Sequence, residues 1–413
     1  MKKNSVLVAH PMQQHSFKLC HALEKQGLLN KYFTTIFIKE KSVFWKLFGK
    51  ITAGKFENAI SKKRCPEIEK KANVICGISG LIFAFLSKVN YPLACKYYFI
   101  LTKLFGKKIA KYVIKHNDVE AVVMYDFTAV SCFEILKKKR PNVVRVLDMS
   151  SIPAQSIKAI LDKEEVNGFG KYHLNKRKSY SNEIVAYYSK EIEFVDYFLV
   201  PSNYVLNTLV SLGVDKEKCF VAPYGVNTKD FVYNRENSEI EQFEFVFTGR
   251  IEAAKGVFYM LDGLNKLWQE RQDFRLHLFG ALCFDKRDLI KYNDFCEFHG
   301  YTDKHTLIQY YNKSHCFILP SLWEGMNLSA LEALSCGLPC ILSANTGASE
   351  YINDGINGFV IKPFCCESVY DKAKWFLENK NLWQKMSNNS RSAIPGTWED
   401  YNNRIAQVFN SIG

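Results

Sequence analysis

Apolar residues in this chain come in short, β-branched blocks, each followed by turn residues and then by an amphipathic stretch. Val6–Ala9 reads as a strand, followed by a loop at His10–His15 and a helix from about Ser16 to Gln26 that Gly27 ends. A second strand is expected at Tyr32–Ile38. This strand-loop-helix-strand opening is how a doubly wound sheet begins. Ala121–Tyr125, Val143–Leu147 and Tyr197–Val200 continue as parallel strands, and Ser156–Lys190 reads as a polar helical stretch broken at Gly168-Phe169-Gly170. A helix over Tyr204–Leu212 and a strand at Cys219–Ala222 precede the punctuation Pro223-Tyr224-Gly225.

The polar run Tyr233–Gln242 reads as a linker, and a second series opens behind it with the strand Phe243–Thr248. Helix 255–270, strands Arg275–Phe279 and Glu297–His299, helix 303–312 and strand Cys316–Leu319 follow. Helix 329–336, strand Pro339–Ser343 and helices within 366–388 and 398–412 close the chain. With 413 residues, this pattern predicts an α/β protein of two Rossmann-like doubly wound domains facing a cleft. The expected domains are 1–232 and 233–397, with 398–413 packing back on the first.

Residues 39–116 break the alternation. They hold KEKSVFWKLFGKITAGKF, a basic SKKR at 61–64, and an apolar stretch Val74–Phe105 interrupted by Lys88, Pro92, Lys96 and Lys103. Val74–Leu86 is too short to span a bilayer, which needs about 20 apolar residues. Lysines interleaved with Phe44, Trp45, Phe48, Phe83, Phe85, Tyr97, Tyr98 and Phe99 suit an interfacial helix with snorkelling cations. They equally suit a core face backed by a solvated one, and the pattern leaves both open.

Charge changes the picture more than composition does. The net charge is +13, yet residues 1–125 alone carry +15 and the remainder −2. A basic front half attracts anionic lipid, phosphate-bearing acceptors or nucleic acid. No recognisable RNA or DNA module accompanies it, which argues against nucleic acid. Membrane attraction accounts for the same surplus. The thirteen cysteines show neither CxxC pairs nor metal-ligand spacing, so they read as small buried hydrophobes in a reducing cytoplasm. The apolar run after Met1 stops at His10-Pro11, so this segment is not expected to act as a secretory signal.

Two segments carry candidate chemistry. In Gly249-Arg250-Ile-Glu-Ala-Ala-Lys255-Gly256, a strand meets a helix. Gly249 permits close backbone approach, and the helix N-terminus favours anions. Arg250 and Lys255 add two cations suited to a diphosphate, at roughly 1.5–3 kcal/mol per charge-assisted hydrogen bond. In Pro320-Ser321-Leu-Trp-Glu324-Gly325-Met326-Asn327-Leu328-Ser-Ala-Leu-Glu332, the amides of Gly325–Leu328 head a helix flanked by two carboxylates. Paired carboxylates accept hydrogen bonds from sugar and ribose hydroxyls.

These segments, with TGASEYINDGINGFVIKP and VPSNYVLNTLVSLGV…VAPYGVNTKDF, resemble the family-4 retaining glycosyltransferases of the GT-B fold. The likeness covers nearly the whole C-terminal half and only the general pattern of the N-terminal half. It implies that Arg250 and Lys255 bind the donor diphosphate and that Glu332 takes the ribose hydroxyls. By the same resemblance, Glu324 and the Gly325, Met326, Asn327 and Leu328 segment hold the sugar, with Asn327 at a variable position that helps set sugar preference. Gly300 and Tyr301 lie where family members bind the nucleobase. The family's glycine pair after the first strand is replaced by His10-Pro11-Met-Gln13-Gln14-His15, so Gln14 and His15 become cleft candidates. Asp126 is the nearest polar substitute for a family histidine. His15 and Asp126 each have a structural alternative, His15 as a helix-start residue and Asp126 as a turn residue.

The resemblance implies transfer from a nucleoside-diphosphate sugar to a glycan or lipid-linked acceptor, with retention and with no cofactor. No DxD signature is present, so no metal is expected and the two cations gain importance. A nucleotide-sugar epimerase of the same fold is the nearest rival, and the RxxxxKG spacing argues against it. The expected setting is cytoplasmic, peripheral at the inner membrane face, in surface polysaccharide synthesis.

Overall fold

The computed structural model describes residues 1–39, 63–234 and 242–412. Phe44, Trp45, Phe48, Ser61 and Lys62 of SKKR and most of the expected linker therefore lie outside the described residues.

The N-terminal sheet comprises β1 (Val6–Ala9), β2 (Leu29–Thr34), β3 (Ala72–Val74), β4 (Ala121–Tyr125), β5 (Val144–Asp148), β6 (Tyr197–Val200) and β7 (Cys219–Val221). Its order is β3-β2-β1-β4-β5-β6-β7, every pairing parallel. The C-terminal sheet comprises β8 (Phe243–Thr248), β9 (Phe274–Phe279), β10 (Cys296–Gly300), β11 (Cys316–Leu319), β12 (Cys340–Ser343) and β13 (Gly358–Ile361). Its order is β10-β9-β8-β11-β12-β13, again all parallel. Strands such as VLVA, AVVMY and FEFVFT are buried along their whole length, because helices cover both faces of each sheet. In both sheets the strand order reverses after the first strand, between β1 and β4 and between β8 and β11. Ligands of doubly wound sheets bind beyond the carboxyl ends at such points. The architecture is α/β and GT-B.

The domains meet through these ends. The Tyr172 ring stacks on Phe258 at 3.8 Å, Tyr259 donates to Glu164 Oε1 at 2.6 Å, and Asn203 Nδ2 donates to Glu350 at 2.8 Å. The chain crosses between domains twice, and the crossings run side by side: Val226 bridges Thr397 in parallel, its amide 3.0 Å from the Gly396 carbonyl. Beyond that point the helix Trp398–Ser411 lies on helix Ser16–Lys25, burying Tyr401, Ile405 and Phe409 and pairing Lys25 with Glu399 at 2.6 Å.

Three expectations need correction. The second strand runs over Leu29–Thr34 instead of Tyr32–Ile38, because the Thr35 amide leaves the sheet to donate to the Pro11 carbonyl at 3.2 Å. The stretch 156–190 is four pieces, Ala154–Val166, a short turn at Gly170–His173, Leu174–Ser179 and Asn182–Ser189; the last starts at Ser181, whose hydroxyl accepts from the Ile184 amide. Strands β3 and β13 were not expected at all.

The basic insertion forms two helices, Gly77–Val89 and Tyr91–Lys115, joined at Asn90, which accepts from the Leu93 amide. The second buries Leu101, Phe105, Ile109 and Val113. The first exposes Ile78, Leu81, Ile82, Phe85 and Val89, spaced on one helical face. The core reading therefore holds for the second helix, while the first presents an exposed apolar face.

Candidate active site where the two sheets meet

The loop after β8 delivers Arg250 and Lys255, and the loop after β11 delivers Glu324. Their closeness follows from backbone geometry. Gly256 has φ +67°, and a Cβ there would fall 1.9 Å from the Pro320 carbonyl oxygen, so only glycine lets the loops touch. With the loops in contact, Lys255 Nζ pairs with Glu324 Oε2. Arg250 Nη2 lies 2.9 Å from Glu252 Oε1, and Lys176 Nζ, from the N-terminal domain, lies 3.4 Å from the same oxygen. Three cations thus share two carboxylates.

Burial pulls the Lys255 ammonium down to about 7, with Glu252 opposing and Lys176 and Arg250 adding to the shift. Burial pushes the Glu252 carboxyl up, but Lys176, Arg250 and Lys255 outweigh it and hold it below the usual value. A bound diphosphate would supply the anionic charge that these crowded cations lack. Glu332, on helix Leu328–Ser335, is raised to about 7 by burial, eased by Lys304. Among the described residues no side-chain hydrogen bond or ion pair engages its carboxylate, which leaves it open to a hydroxyl-bearing ligand.

The other residues of the glycine segment are placed as follows. Asn327 caps helix Leu328–Ser335, its Oδ1 accepting from the Ala330 amide at 2.8 Å. The Met326 side chain is in the core, and Leu328 opens the helix. Gly325 touches the other domain: a Cβ there would fall 2.1 Å from the Ser150 carbonyl oxygen, and its own carbonyl accepts from Ser202 Oγ at 2.7 Å. Gly300 ends β10 with its carbonyl bonded to the Gly280 amide at 2.7 Å, and Tyr301 beyond it is 84% exposed, at the rim.

On the N-terminal side, His15 Nε2 lies 2.8 Å from Asp148 Oδ2 and 3.3 Å from the Tyr224 hydroxyl. Its side chain caps nothing at the helix start; it belongs to the loop at the end of β1. Gln14 is exposed and holds φ +41°, and Phe127, next to Asp126, holds φ +65°. Strained backbone of this kind gathers at functional loops. Asp126 is buried and accepts from the Ser150 amide at 3.1 Å and the Ser150 hydroxyl at 2.9 Å. Burial raises it to about 6, against the Ser150 hydrogen bonds. It therefore supports Ser150, which in turn touches Gly325.

Sequence reasoning missed Lys176, Glu252, Asp148 and Tyr91. The Tyr91 phenol lies beside the Arg250 guanidinium across the domain boundary. Nothing in a one-dimensional pattern links residues 91, 176 and 250. Among the described residues, one group has metal-ligand spacing: His277, Glu297 and His299, with ligand atoms within 4.8 Å of one another. Here His277 is engaged by Glu244 at Nε2 and lies 3.0 Å from His299 Nε2 at Nδ1.

Residues 230–393 match the family described as Glycosyl transferases group 1. A sucrose synthase of Beta vulgaris is 30% identical over 107 residues, 25% of this chain and 14% of that protein. A putative colanic acid biosynthesis glycosyltransferase, WcaL, of Salmonella typhimurium is 22% identical over 196 residues, 44% of this chain and 48% of that protein. The matched stretch thus spans less than half the length of these curated relatives. Among solved structures, the sucrose-phosphate synthase of Thermosynechococcus elongatus superposes with a TM-score of 0.67 at 15% identity, covering 98% of both chains. The Anabaena HepE structure in complex with UDP gives 0.62 at 13% identity, covering 98% of this chain and 99% of that one. The fold is shared along the whole chain, and the family match over residues 230–393 supports a GT-B glycosyltransferase.

Proposed function

We propose that this chain is a retaining glycosyltransferase that moves a sugar from a nucleoside-diphosphate sugar to a glycan or lipid-linked acceptor, without a metal ion. The observation that carries the reading is the convergence of Arg250, Lys255 and Glu324 at the reversal point of the C-terminal sheet, under the loops of the N-terminal domain. In this reading Arg250 and Lys255 hold the diphosphate and stabilise the charge that builds on it as it leaves. Glu332 binds the ribose, and Glu324 with the Gly325–Leu328 amides holds the sugar. The UDP bound to HepE favours a uridine donor, and WcaL favours a role in surface polysaccharide synthesis.

We further propose peripheral attachment to the anionic inner face of the cytoplasmic membrane. Among the described residues no helix is long and apolar enough to cross a membrane. The stripe Ile78, Leu81, Ile82, Phe85 and Val89 is exposed beside Lys88 and Lys96, in the half of the chain that carries the positive surplus. Screening nucleoside-diphosphate sugars by saturation transfer tests the donor reading. One sugar-nucleotide should bind and be consumed only when acceptor is present; epimerised product from donor alone would overturn it.

A further inference from the structure

Between the insertion helices and the broken helical stretch lies a cavity of about 250 Å³ that none of the proposed donor contacts uses. Its walls are Phe83, Tyr98, Phe99, Phe127, Tyr180 and Tyr188, from both insertion helices, the loop after β4 and the broken helical stretch. Two further lining residues, Tyr91 and Lys176, also line a second cavity of about 330 Å³ that contains Arg250 and Glu252. An aromatic chamber therefore adjoins the cavity that holds Arg250 and Glu252, with the Lys176 ammonium and the Tyr91 phenol at the junction.

The lining chemistry discriminates between ligands. Sugars are held by carboxylates and carboxamides, which accept and donate to hydroxyls in pairs. Among the described residues that line the aromatic chamber there is no Asp, Glu, Asn or Gln. Its tyrosines stay neutral, since burial pushes the Tyr98, Tyr180 and Tyr188 phenols well above their usual value. Such a chamber favours hydrocarbon, and the single cation at its inner end favours a phosphate there.

We propose that this chamber holds the hydrocarbon next to the phosphate of a lipid-linked acceptor, with Lys176 on that phosphate beside Arg250. The proposal rests on the glycosyltransferase reading and gives its acceptor a chemical class, a lipid phosphate. Lys176 would then exchange its contact with Glu252 for the acceptor, and Tyr91 would separate the acceptor phosphate from the donor diphosphate on Arg250.

The test is calorimetric titration of the full chain with farnesyl phosphate, farnesol and inorganic pyrophosphate. Wild type should bind farnesyl phosphate at least tenfold more tightly than farnesol. Cys95 also lines the chamber, and Cys95→Phe, which places a ring there, should weaken both lipids at least tenfold. Lys176→Met should bring farnesyl phosphate down to the affinity of farnesol, with farnesol itself unchanged. Unaltered lipid affinity in Cys95→Phe, or equal affinities for the two lipids in wild type, would overturn the proposal. Pyrophosphate separates the two readings: a wild-type chain that binds farnesyl phosphate but neither pyrophosphate nor any nucleotide sugar would contradict the donor site and leave the lipid chamber standing.

Discussion

Lys255 and Glu324, from loops 69 residues apart in sequence, are ion-paired at the meeting of the two sheets. Each neutralises the other, so in the proposed function a donor would break this pair to recruit both. Removing one partner strands the other in a largely desolvated site. Arg250→Ala and Lys255→Ala are expected to lower kcat by about 100-fold to 1,000-fold, the range for losing a group that stabilises developing charge. Steady-state kinetics alongside melting curves check this; wild-type turnover in either variant would remove it from the site.

The depressed Lys255 ammonium sets a pH dependence. Its folded value is about 7 against 10.5 for a free lysine, so between those values the unfolded chain holds a proton that the folded chain lacks. Stability from this group therefore rises with pH from about 7 to 10.5 and is lost as pH falls through 7. Pyrophosphate binding should run the other way, weakening by up to tenfold per pH unit above about 7, because the anion requires the charged ammonium. Lys255→Met should flatten this slope in a calorimetric pH series.

Glu332 titrates with the opposite sign. Its folded value of about 7 stands above the ordinary 4.5, so its contribution to stability is full below pH 4.5 and lost as pH rises to 7. Glu332→Gln should remove that loss. It should also weaken a nucleoside diphosphate about tenfold while leaving inorganic pyrophosphate unaffected, because only the former carries ribose. Equal losses for both ligands would place Glu332 away from the ribose.

Gly325→Ala tests how the domains communicate. The added methyl meets the carbonyl of Ser150, a residue whose amide and hydroxyl donate to Asp126. Overpacking of this kind costs roughly 1–3 kcal/mol, here by pushing the domains apart. Lowered kcat with near-normal pyrophosphate binding is the expected outcome; unchanged kcat would show that the Ser150 contact is incidental.

Ile82→Asp and Phe85→Asp together should abolish cosedimentation with vesicles containing phosphatidylglycerol, without changing pyrophosphate affinity. Each lysine near an anionic surface contributes about 1 kcal/mol, so vesicle binding by the wild type should also fall with salt. Wild-type binding that salt and these substitutions leave intact would contradict membrane attachment through this face.

Much of the sheet framework was legible because buried parallel strands read as short apolar runs bounded by turns. Ala121–Tyr125, Tyr197–Val200, Phe243–Thr248 and Cys316–Leu319 have the expected bounds. β13 was hidden because Gly358–Ile361 follows Asn353-Asp-Gly-Ile-Asn-Gly, a run that reads as loop. The residues of the proposed donor site could be picked out because Arg250 and Lys255 share one loop, and Glu324 and Glu332 one loop and helix. Lys176 and Tyr91 were illegible because their closeness to Arg250 and Glu252 exists only in three dimensions, across the two domains. Asp126 was read as a cleft group or a turn residue; its partner Ser150 shows that it positions the loop touching Gly325.

The twin crossings at Val226 and Thr397 carry a mechanical consequence. Because they are zipped together, they would act as a single pivot if the two halves of the molecule moved apart. Swinging about it would part Tyr91 and Lys176 from Arg250 in one movement, opening the donor cations and the aromatic chamber to solvent at the same moment. Entry of one substrate and entry of the other would then be governed by one shared motion.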